Sequence, residues 1–252
     1  MTIEPATPHS PKLNCDLGES FGSWKMGLDE AVMPHIHQAN IACGFHAGDA
    51  MIMRKTLALA KINGVSVGAH PAYPDLQGFG RRSMQCSHDE IIAYIQYQIG
   101  AIDGMARSMG ITLDYVKPHG ALYNDMMSKE NVRAAVMTAV ASYHSKPTLM
   151  LQAVPENNLH RIEAKELGLK LELEAFADRC YDDDGKLLSR TKEGAVHSYQ
   201  KMIAQVQQLY DTGTVTTVSG QILKVHADSI CVHGDNETGV QAISEIRALI
   251  DV

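Results

Sequence analysis

The sequence repeats a three-part pattern along most of its length: a short apolar run, a polar loop rich in glycine, and an amphipathic segment. The pattern recurs about seven times, as expected for strands that alternate with helices. Short apolar runs with little alternation are typical of strands that are buried on both faces of a parallel sheet. The repeat therefore predicts an α/β fold built on a parallel sheet.

The apolar runs and the helical periodicities give the following predicted elements. The strands are Lys12–Leu17, His35–Cys43, Val65–Ala69, Leu113–Val116, Thr148–Leu151, Leu171–Ala177 and Ser229–Val232. The helices are Asp49–Lys61, Ser87–Met109, Ser128–Ser142, Pro155–Leu167, Gly194–Tyr210 and Thr238–Ile250, with Asp49 and Ser128 as N-caps and a capping box at Ser87–Glu90. Between the last two strands, Thr214–Val225 alternates β-formers around Ser219-Gly220, which predicts a small hairpin.

Two arrangements of a parallel sheet remain, an open doubly wound sheet and a closed barrel. Polar loops follow nearly every predicted strand instead of clustering at one reversal point, which favours a TIM-barrel-like (β/α) barrel. The chain has 252 residues and no Ser/Gly/Pro-rich linker. We therefore expect one barrel domain over residues 13–252, with the hairpin near 214–225, behind a short disordered lead-in at residues 1–12.

Composition narrows the function classes. The net charge of −7 and the lack of a basic run argue against nucleic acid as a partner. No apolar run reaches the roughly 18 residues of a membrane span, and Met1–Lys12 lacks the apolar middle of a signal peptide. Five cysteines without a CxxC pair support neither a disulfide framework nor a thiolate zinc site, so we expect a cytoplasmic protein. The sequence contains no P-loop.

The segment Gly68–Arg82 is the most informative loop. It follows a predicted buried strand and places His70, Asp75, Arg81 and Arg82 among prolines and glycines. Proline fixes φ and glycine permits positive φ, so such a loop can hold a defined irregular shape. Ionisable groups on a rigid loop at a strand end are typical of the active sites of α/β enzymes.

Other predicted strands also end in ionisable residues, and a barrel would gather them at one mouth. The group comprises Asp16, Glu19, His46, His70, His119 and His233. One interpretation is a divalent metal that activates water, with Asp16, His46 and His70 as candidate ligands. The other is direct acid/base catalysis by Asp16 with His70 or His119, in which Lys117 and arginines stabilise negative charge. Those arginines are Arg81, Arg82, Arg179 and Arg190. Each of them could instead have a purely structural role, in an ion pair with Asp75, Glu174 or Asp178.

Taken together, the motifs resemble those of the LamB/YcsF family. The segments that carry the resemblance are Leu13–Gly22, Ala39–Asp49, His70–Arg82, Val116–Asn124, Glu174–Arg179 and Ile230–Asn236. They occur in one order over about 240 residues, nearly the whole chain. One departure is Glu237, because the family commonly has proline at this position, after Asp-Asn. Proline here would only pre-set φ at the start of a helix, so its replacement does not weaken the resemblance to the family.

The resemblance implies a seven-stranded (β/α) barrel of the glycoside hydrolase/deacetylase type. It also implies the catalytic A subunit of a 5-oxoprolinase, an enzyme that opens 5-oxo-L-proline to L-glutamate, with ATP as co-substrate together with Mg²⁺, and with B and C subunits as partners. Two alternatives remain, a stand-alone metal-dependent amide hydrolase or deacetylase and a non-catalytic binder of carbohydrate or lactam. Homo-oligomerisation and a tightly bound metal are left open.

Position at strand ends and in these motifs gives the candidate site residues. The predicted catalytic residues are Asp16, His70, His119 and Lys117. The predicted residues for binding substrate or phosphate are Glu19, Asn40, His46, Asp75, Arg81, Arg82, Asn124, Glu174, Asp178, Arg179, His233 and Asp235.

Overall fold

A computed structural model describes residues 10–155, 157–190, 192–233 and 237–251. Seven parallel strands close into a barrel: β1 (Lys12–Leu17), β2 (Gln38–Ala42), β3 (Ser66–His70), β4 (Leu113–Val116), β5 (Thr148–Gln152), β6 (Leu171–Phe176) and β9 (Ser229–Cys231). Each strand pairs with the next along the chain, and β9 closes the barrel between β6 and β1. The prediction of a seven-stranded (β/α) barrel is confirmed.

Helices and a small hairpin connect these strands. The helices are α1 (Asp29–Val32), α2 (Ala50–Asn63), α3 (His88–Ser108), α4 (Gly120–Ser128), α5 (Glu130–Ala141), α6 (Asn157–Glu166), α7 (Tyr199–Thr212) and α8 (Glu237–Ile250). The antiparallel pair β7 (Thr214–Thr216) and β8 (Ile222–Lys224) lies at the position of the predicted hairpin. Among the described residues, no helix combines the length and the apolar character that crossing a bilayer requires.

Two helix starts agree with the sequence. The Asp49 carboxylate accepts hydrogen bonds from the amides of Met51 and Ile52 at the start of α2. Ser87 and Glu90 form the expected capping box before α3. Both caps fix the direction in which the chain leaves a strand-end loop.

The segment from 120 to 142 differs from the prediction. Ser128 does not cap the following helix; it ends α4, where its hydroxyl donates to the Asn124 carbonyl. The helix α5 begins at Glu130 without a side-chain cap. Packing accounts for the difference, because α4 buries Leu122 and Met126 in the core although it lacks a capping signal.

The second strand was also predicted too long. His35 lies in a 3₁₀ turn, Met33–His35, and β2 begins only at Gln38. Pro34 explains the turn, because its fixed φ and missing N–H suit the first positions of a helix and not a central strand.

The interior of the barrel is polar, and it forms the floor of the mouth. The Gln38 amide donates to both oxygens of Glu172, at 3.0 and 2.9 Å, and Ser229 donates to Gln38 at 2.8 Å. One layer higher, Asn40 donates to Asn14 at 2.8 Å. Side chains two residues apart on a strand point the same way, so these layers continue upward into the mouth.

A single glycine makes room for the largest side chain of this floor. A Cβ atom at Gly68 would lie 2.2 Å from Cε2 of Tyr115, which is fully buried. The Tyr115 hydroxyl donates to the Asn40 side-chain oxygen at 2.6 Å. Gly68 therefore allows the ring to cross the barrel and brace the residues beneath the site.

Two predictions about the whole chain stay predictions. The first is the division into a short disordered lead-in and one barrel domain; residues 1–9 lie outside the described residues. The second is the cytoplasmic location, which was expected from the cysteine pattern. In the structure, the five cysteines are all free thiols.

Candidate active site

The carboxyl ends of the barrel strands bring most of the predicted residues together. β1 and the loop after it contribute Asp16 and Glu19, the loop after β2 contributes His46, and β3 ends in His70. The remaining side chains come from β4, β6, β9 and the loops after them: Lys117, His119, Glu174, Asp178 and His233. The mouth divides into a charged half, made of Asp16, Lys117, Glu174, Asp178 and His233, and a histidine half, made of Glu19, His46, His70 and His119.

Lys117 is the central cation of the charged half. Its ammonium nitrogen lies 3.0 Å from oxygens of Asp16 and Glu174, and 3.1 and 3.2 Å from Asn14 Oδ1 and Cys231 Sγ. These carboxylates raise the pKa of Lys117 well above its usual value, outweighing the opposite effect of burial. An ammonium group has three N–H bonds for four acceptors. Lys117 therefore holds its neighbours in place and has no donor left over for a substrate.

Asp16 lies where the two halves meet. Its Oδ1 accepts hydrogen bonds from Asn40 at 2.8 Å and Lys117 at 3.0 Å, while Oδ2 lies 3.4 Å from His70 Nε2 and 3.5 Å from His233 Nε2. Burial alone would raise the pKa of Asp16. The electrostatic attraction of His70 and Lys117 and the hydrogen bonds from His233 and His70 outweigh burial, and they hold the pKa well below its usual value. Asp16 is therefore an ionised, oriented carboxylate whose Oδ2 faces the mouth.

His233 is held between two carboxylates. Its Nδ1 lies 2.7 Å from Asp178 Oδ2, and its Nε2 lies 3.5 Å from Asp16 Oδ2. Burial lowers the pKa of His233, but the Asp178 charge and the hydrogen bonds to both carboxylates raise it to about 10. His233 is thus an imidazolium at neutral pH, and the Arg190 guanidinium lies 3.4 Å from its ring.

In the histidine half, two rings are fixed by backbone carbonyls. His70 Nδ1 lies 2.7 Å from the carbonyl oxygen of Lys117, and His119 Nε2 lies 2.9 Å from that of Phe79. A carbonyl only accepts, so both of these nitrogens carry hydrogen. The other nitrogens of the two rings, His70 Nε2 and His119 Nδ1, face each other at 3.0 Å.

His46 completes this half by stacking. Its ring lies 3.7 Å from that of His119 with an interplanar angle of 6°, and its Nε2 lies 3.1 Å from Glu19 Oε1. Burial lowers the pKa of His46 and of His119 well below the usual value, and it raises the pKa of Glu19. At neutral pH these two imidazoles are therefore uncharged.

The loop Gly68–Arg82 lies over the histidine half. A Cβ atom on Gly80 would lie 2.8 Å from both His46 and His119, so the loop approaches as closely as glycine allows. Asp75 pairs with Arg82 and also accepts from the Gly78 amide at 3.0 Å, which closes the loop on itself. The structure thus gives Asp75 and Arg82 a bracing contact; their predicted role in binding substrate stays a prediction.

Three other predicted residues lie apart from the central contacts. The Arg179 guanidinium donates to the carbonyls of Leu188 and Ala195, and so holds the loop after β6. Asn124 is exposed on α4, and Arg81 lies over the Phe79 ring at 5.0 Å. Asp235 lies outside the described residues.

Sequence reasoning missed two contacts of the site. Asn14 accepts from Lys117 and donates to Glu174 at 3.3 Å, and Cys231 Sγ also touches Lys117. Asn14 precedes Asp16 by two residues on β1, so strand periodicity could have placed it on the same interior face. Cys231 carries no such signal, because a buried cysteine at a strand end is usually a small apolar residue.

Two groups of side chains have the composition of metal ligands. One is the histidine half; the other is Asp16, Cys231 and His233. In the second group, the Lys117 ammonium and the His233 imidazolium already compensate the carboxylates, and burial raises the pKa of the Cys231 thiol. A thiol must lose its proton to bind a metal, so the second group is not suited to a cation. In the histidine half, His46 and His119 are stacked in parallel, so their in-plane lone pairs do not meet at one point.

Comparison with known proteins places this chain among close relatives. The 5-oxoprolinase A subunit 2 of Pseudomonas putida is 52% identical over 240 residues, which cover 95% of this chain and 93% of that protein. The 5-oxoprolinase A subunit of Chromohalobacter salexigens is 51% identical over 242 residues, covering 96% and 97%. The crystal structure of a lactam utilization protein from Thermus thermophilus superposes with a TM-score of 0.87 at 35% identity, covering 96% of this chain and 97% of that one. The model of the LamB/YcsF family matches residues 12–252, and the chain belongs to that family.

Proposed function

We propose that this chain is the catalytic A subunit of an ATP-dependent 5-oxoprolinase, which acts in the cytoplasm together with B and C subunits. The observation that carries the proposal is the 52% identity, over nearly the full length of both chains, to a protein named as the A subunit of that enzyme. The relatives are named as subunits and not as stand-alone enzymes. A stand-alone metal-dependent hydrolase and a non-catalytic binder are therefore not favoured.

The reaction adds water across the C–N bond of a five-membered lactam and gives L-glutamate. Resonance makes the amide carbon a poor electrophile, and hydrolysis of an unstrained amide is only weakly downhill. Transfer of the terminal phosphoryl group of ATP to the amide oxygen, leaving ADP, would create a better electrophile. Water then attacks the ring carbon, and the C–N bond breaks with a proton transferred to nitrogen, which leaves an acyl phosphate. A second water hydrolyses the acyl phosphate to the carboxylate of glutamate and inorganic phosphate.

Asp16 is the residue we place at the attacking water. Its carboxylate is ionised, Lys117 and Asn40 fix Oδ1, and Oδ2 faces the mouth. A positioned general base of this kind contributes about 10²–10⁴-fold to the rate. Lys117 acts as a positioning residue because its N–H bonds are already taken by neighbouring acceptors.

The substrate carboxylate needs a cation at the mouth, and the charged half supplies one. The His233 imidazolium is 23% exposed in its side chain and lies next to Arg190. Both N–H groups of His233 already face Asp178 and Asp16, so we propose that Arg190 binds the carboxylate of 5-oxoproline and that His233 contributes its positive charge nearby. His70, 3.4 Å from Asp16, is the group we place at the proton transfer to the ring nitrogen.

Reconstitution tests the proposal. The chain is mixed with purified B and C subunits, 5-oxoproline, ATP and Mg²⁺, and glutamate and phosphate are measured. We expect glutamate release that requires all three proteins and ATP, with one phosphate formed per glutamate. Equal glutamate release without ATP, or by the single chain, would overturn the proposal.

A further inference from the structure

We infer that Gln205, a buried glutamine on α7, is a positioning residue for the charged half of the mouth. Its side-chain amide holds the chain at the end of β6, so that Asp178 faces His233. The inference rests on the proposed function only where it concerns substrate binding, because the positioning itself involves this chain alone. It follows from where two barrel strands stop pairing, from the partners of four successive carbonyls, and from the contact that orients the amide.

The strands β6 and β9 stop pairing just before the two residues that face each other. Among the described residues, their last backbone hydrogen bond runs from the Ala177 N–H to the Cys231 carbonyl, at 2.9 Å. Asp178 follows directly, and His233 lies two residues beyond Cys231. His233 Nδ1 nevertheless lies 2.7 Å from Asp178 Oδ2, and a displacement of about 1 Å would take the two atoms out of hydrogen-bond range. Contacts from outside the sheet therefore have to fix the chain at Asp178.

Gln205 supplies most of these contacts. Its Nε2 donates to three backbone carbonyls at the end of β6, at 2.7, 3.2 and 2.9 Å: those of Phe176, Ala177 and Arg179. The carbonyl of Asp178 itself accepts from the backbone N–H of His197 at 2.8 Å. Buried carbonyls need a partner, and here two residues satisfy all four carbonyls from 176 to 179. The backbone is thus fixed at Asp178 and on both sides of it, which sets the direction of its side chain.

His197 also determines which way the Gln205 amide points. Its Nε2 lies 3.1 Å from Gln205 Oε1, and an amide oxygen only accepts, so the imidazole donates there. The NH₂ group of Gln205 then faces the carbonyls. A reversed amide would place its oxygen against three carbonyl oxygens, and Gln205 is only 6% exposed, so water could not compensate for the lost hydrogen bonds. The pair therefore has one orientation that satisfies every partner.

A purely structural role is the competing explanation, and α3 offers a direct comparison. Gln98 is also fully buried; its amide donates to the Ala72 carbonyl and accepts from the Ala72 N–H, both at 2.9 Å. That contact holds the loop Gly68–Arg82, which lies over the histidine half. Both glutamines bind the backbone through several hydrogen bonds, so the loss of either should destabilise the fold. An effect on His233 that is specific to Gln205 would separate positioning from stability.

Through Asp178, Gln205 acts on the part of the mouth where we place the substrate carboxylate. Asp178 holds His233, and the Arg190 guanidinium lies 3.4 Å from the His233 ring. A displaced Asp178 would move the imidazolium away from Arg190 and weaken the cationic region that the substrate meets. The Asp16 carboxylate would keep the hydrogen bonds to its Oδ1, which come from other strands. Loss of Gln205 should therefore weaken substrate binding more than it slows the chemical step.

The first measurement uses the full chain alone, without ATP or partner subunits. In protein labelled with ¹⁵N-histidine, the proton on His233 Nδ1 reports the contact with Asp178, and its signal is identified by its absence in His233→Gln. Gln205→Met keeps an unbranched side chain and removes the N–H groups. We expect the signal to shift, or to be lost through exchange with water, in Gln205→Met. It should stay in place in Gln98→Met, the matched control, although denaturant titration shows both variants to be less stable than the wild type.

A second variant covers the case in which Gln205→Met does not fold. His197→Phe, at a half-buried position, keeps a ring and removes the donor that orients the amide. It should shift the same signal in the same direction, by less. An unchanged His233 signal in folded Gln205→Met, or in His197→Phe if the first variant does not fold, would overturn the inference. An equal shift in Gln98→Met would also overturn it, because a general loosening of the barrel would then explain the effect.

The last measurement uses the complex reconstituted with B and C subunits and ATP. For Gln205→Met we expect the KM for 5-oxoproline to rise about tenfold while kcat stays within about threefold of the wild type. A fall in kcat with an unchanged KM would overturn the role in substrate binding. If the wild-type complex does not turn over 5-oxoproline, the proposed function fails, and the His233 signal of the single chain still decides whether Gln205 is a positioning residue.

Discussion

His233 and His46 lie in opposite halves of one barrel mouth, and both are removed from water, yet they differ in charge. His233 contacts two carboxylates, at 2.7 and 3.5 Å, and its pKa is raised to about 10. His46 contacts the Glu19 carboxylate and stacks on another histidine, and burial lowers its pKa well below the usual value. Burial opposes the charged form of both rings. At His233 the two carboxylates outweigh burial, whereas at His46 the neighbouring His70 and Arg81 add to its effect on the pKa.

The comparison assigns different chemistry to each half. In the charged half, Asp16 stays ionised because Lys117 and His233 surround it, which suits proton transfer and binding of an anionic substrate. In the histidine half, His46 and His119 are uncharged and stacked on one another, so this half presents an uncharged surface beside Asp16. Asp16 Oδ2 lies 3.4 Å from His70, so the two halves are adjacent. Substitutions that remove one contact of either half can therefore test whether this division is correct.

Replacing Asp16 by Asn should have the largest effect. The variant loses the carboxylate that touches both halves. Among the described residues, Glu174 is then the one carboxylate that still pairs with the Lys117 ammonium. We expect glutamate release by the reconstituted complex to fall about 10³-fold, measured as kcat with ATP and all subunits present. Asp89→Asn, at a side chain 99% exposed on α3, is the control and should retain full activity. A folded Asp16→Asn variant with normal turnover would remove Asp16 from the mechanism.

Gly68→Ala tests whether the floor supports the charged half. The added methyl group would lie 2.2 Å from the Tyr115 ring, whose hydroxyl bonds Asn40, the partner of Asp16. We expect a loss of about 1–3 kcal/mol in the free energy of unfolding by denaturant titration, because the ring cannot move without disturbing the polar layer.

Gly100→Ala is the matched control for that substitution. A methyl group at Gly100 would meet no atom within 4 Å, and the residue lies inside α3. Alanine there should stabilise the protein by about 0.5–1 kcal/mol, because it lowers the entropy cost of the helix. A Gly68→Ala variant as stable as the wild type would mean that Tyr115 does not need this space.

The two histidines should respond to pH in opposite directions. The folded pKa of His233, about 10, lies above its usual value of 6.5, so its stabilising contribution is fully present below pH 6.5 and is lost between pH 6.5 and 10. The folded pKa of His46 lies below 6.5, so its contribution is present above pH 6.5 and is lost as the pH falls. Each ring changes the unfolding free energy by up to about 1.4 kcal/mol per pH unit in its window.

Paired substitutions measure this difference. The destabilisation caused by His233→Gln should be largest near pH 6 and shrink toward pH 9. That caused by His46→Gln should be larger at pH 8 than at pH 5. Parallel pH profiles for the two variants would contradict the division of the mouth into a charged and a neutral half.

Much of the barrel could be predicted from the sequence, because short apolar runs and helical periodicity are local signals. The polar strand ends also predicted that Asp16, His70, His119 and His233 would meet. The sequence could not divide these residues between the halves, since that depends on distances across strands far apart in the chain. For the same reason, helix α4 was missed, because distant packing and not a local cap stabilises it.

Arg82→Gln should have the smallest effect, and it tests the loop above the histidine half. The Arg82 side chain is 65% exposed and pairs with Asp75, which also accepts from the Gly78 amide. Asp75 is only 3% exposed in its side chain but keeps its hydrogen bond from Gly78, so we expect a loss of about 1 kcal/mol in the free energy of unfolding, near the upper end for ion pairs at the surface. Turnover should fall less than about tenfold, because the Phe79 carbonyl still orients His119. A loss of turnover as large as that in Asp16→Asn would instead give Arg82 a direct role in binding the substrate or phosphate.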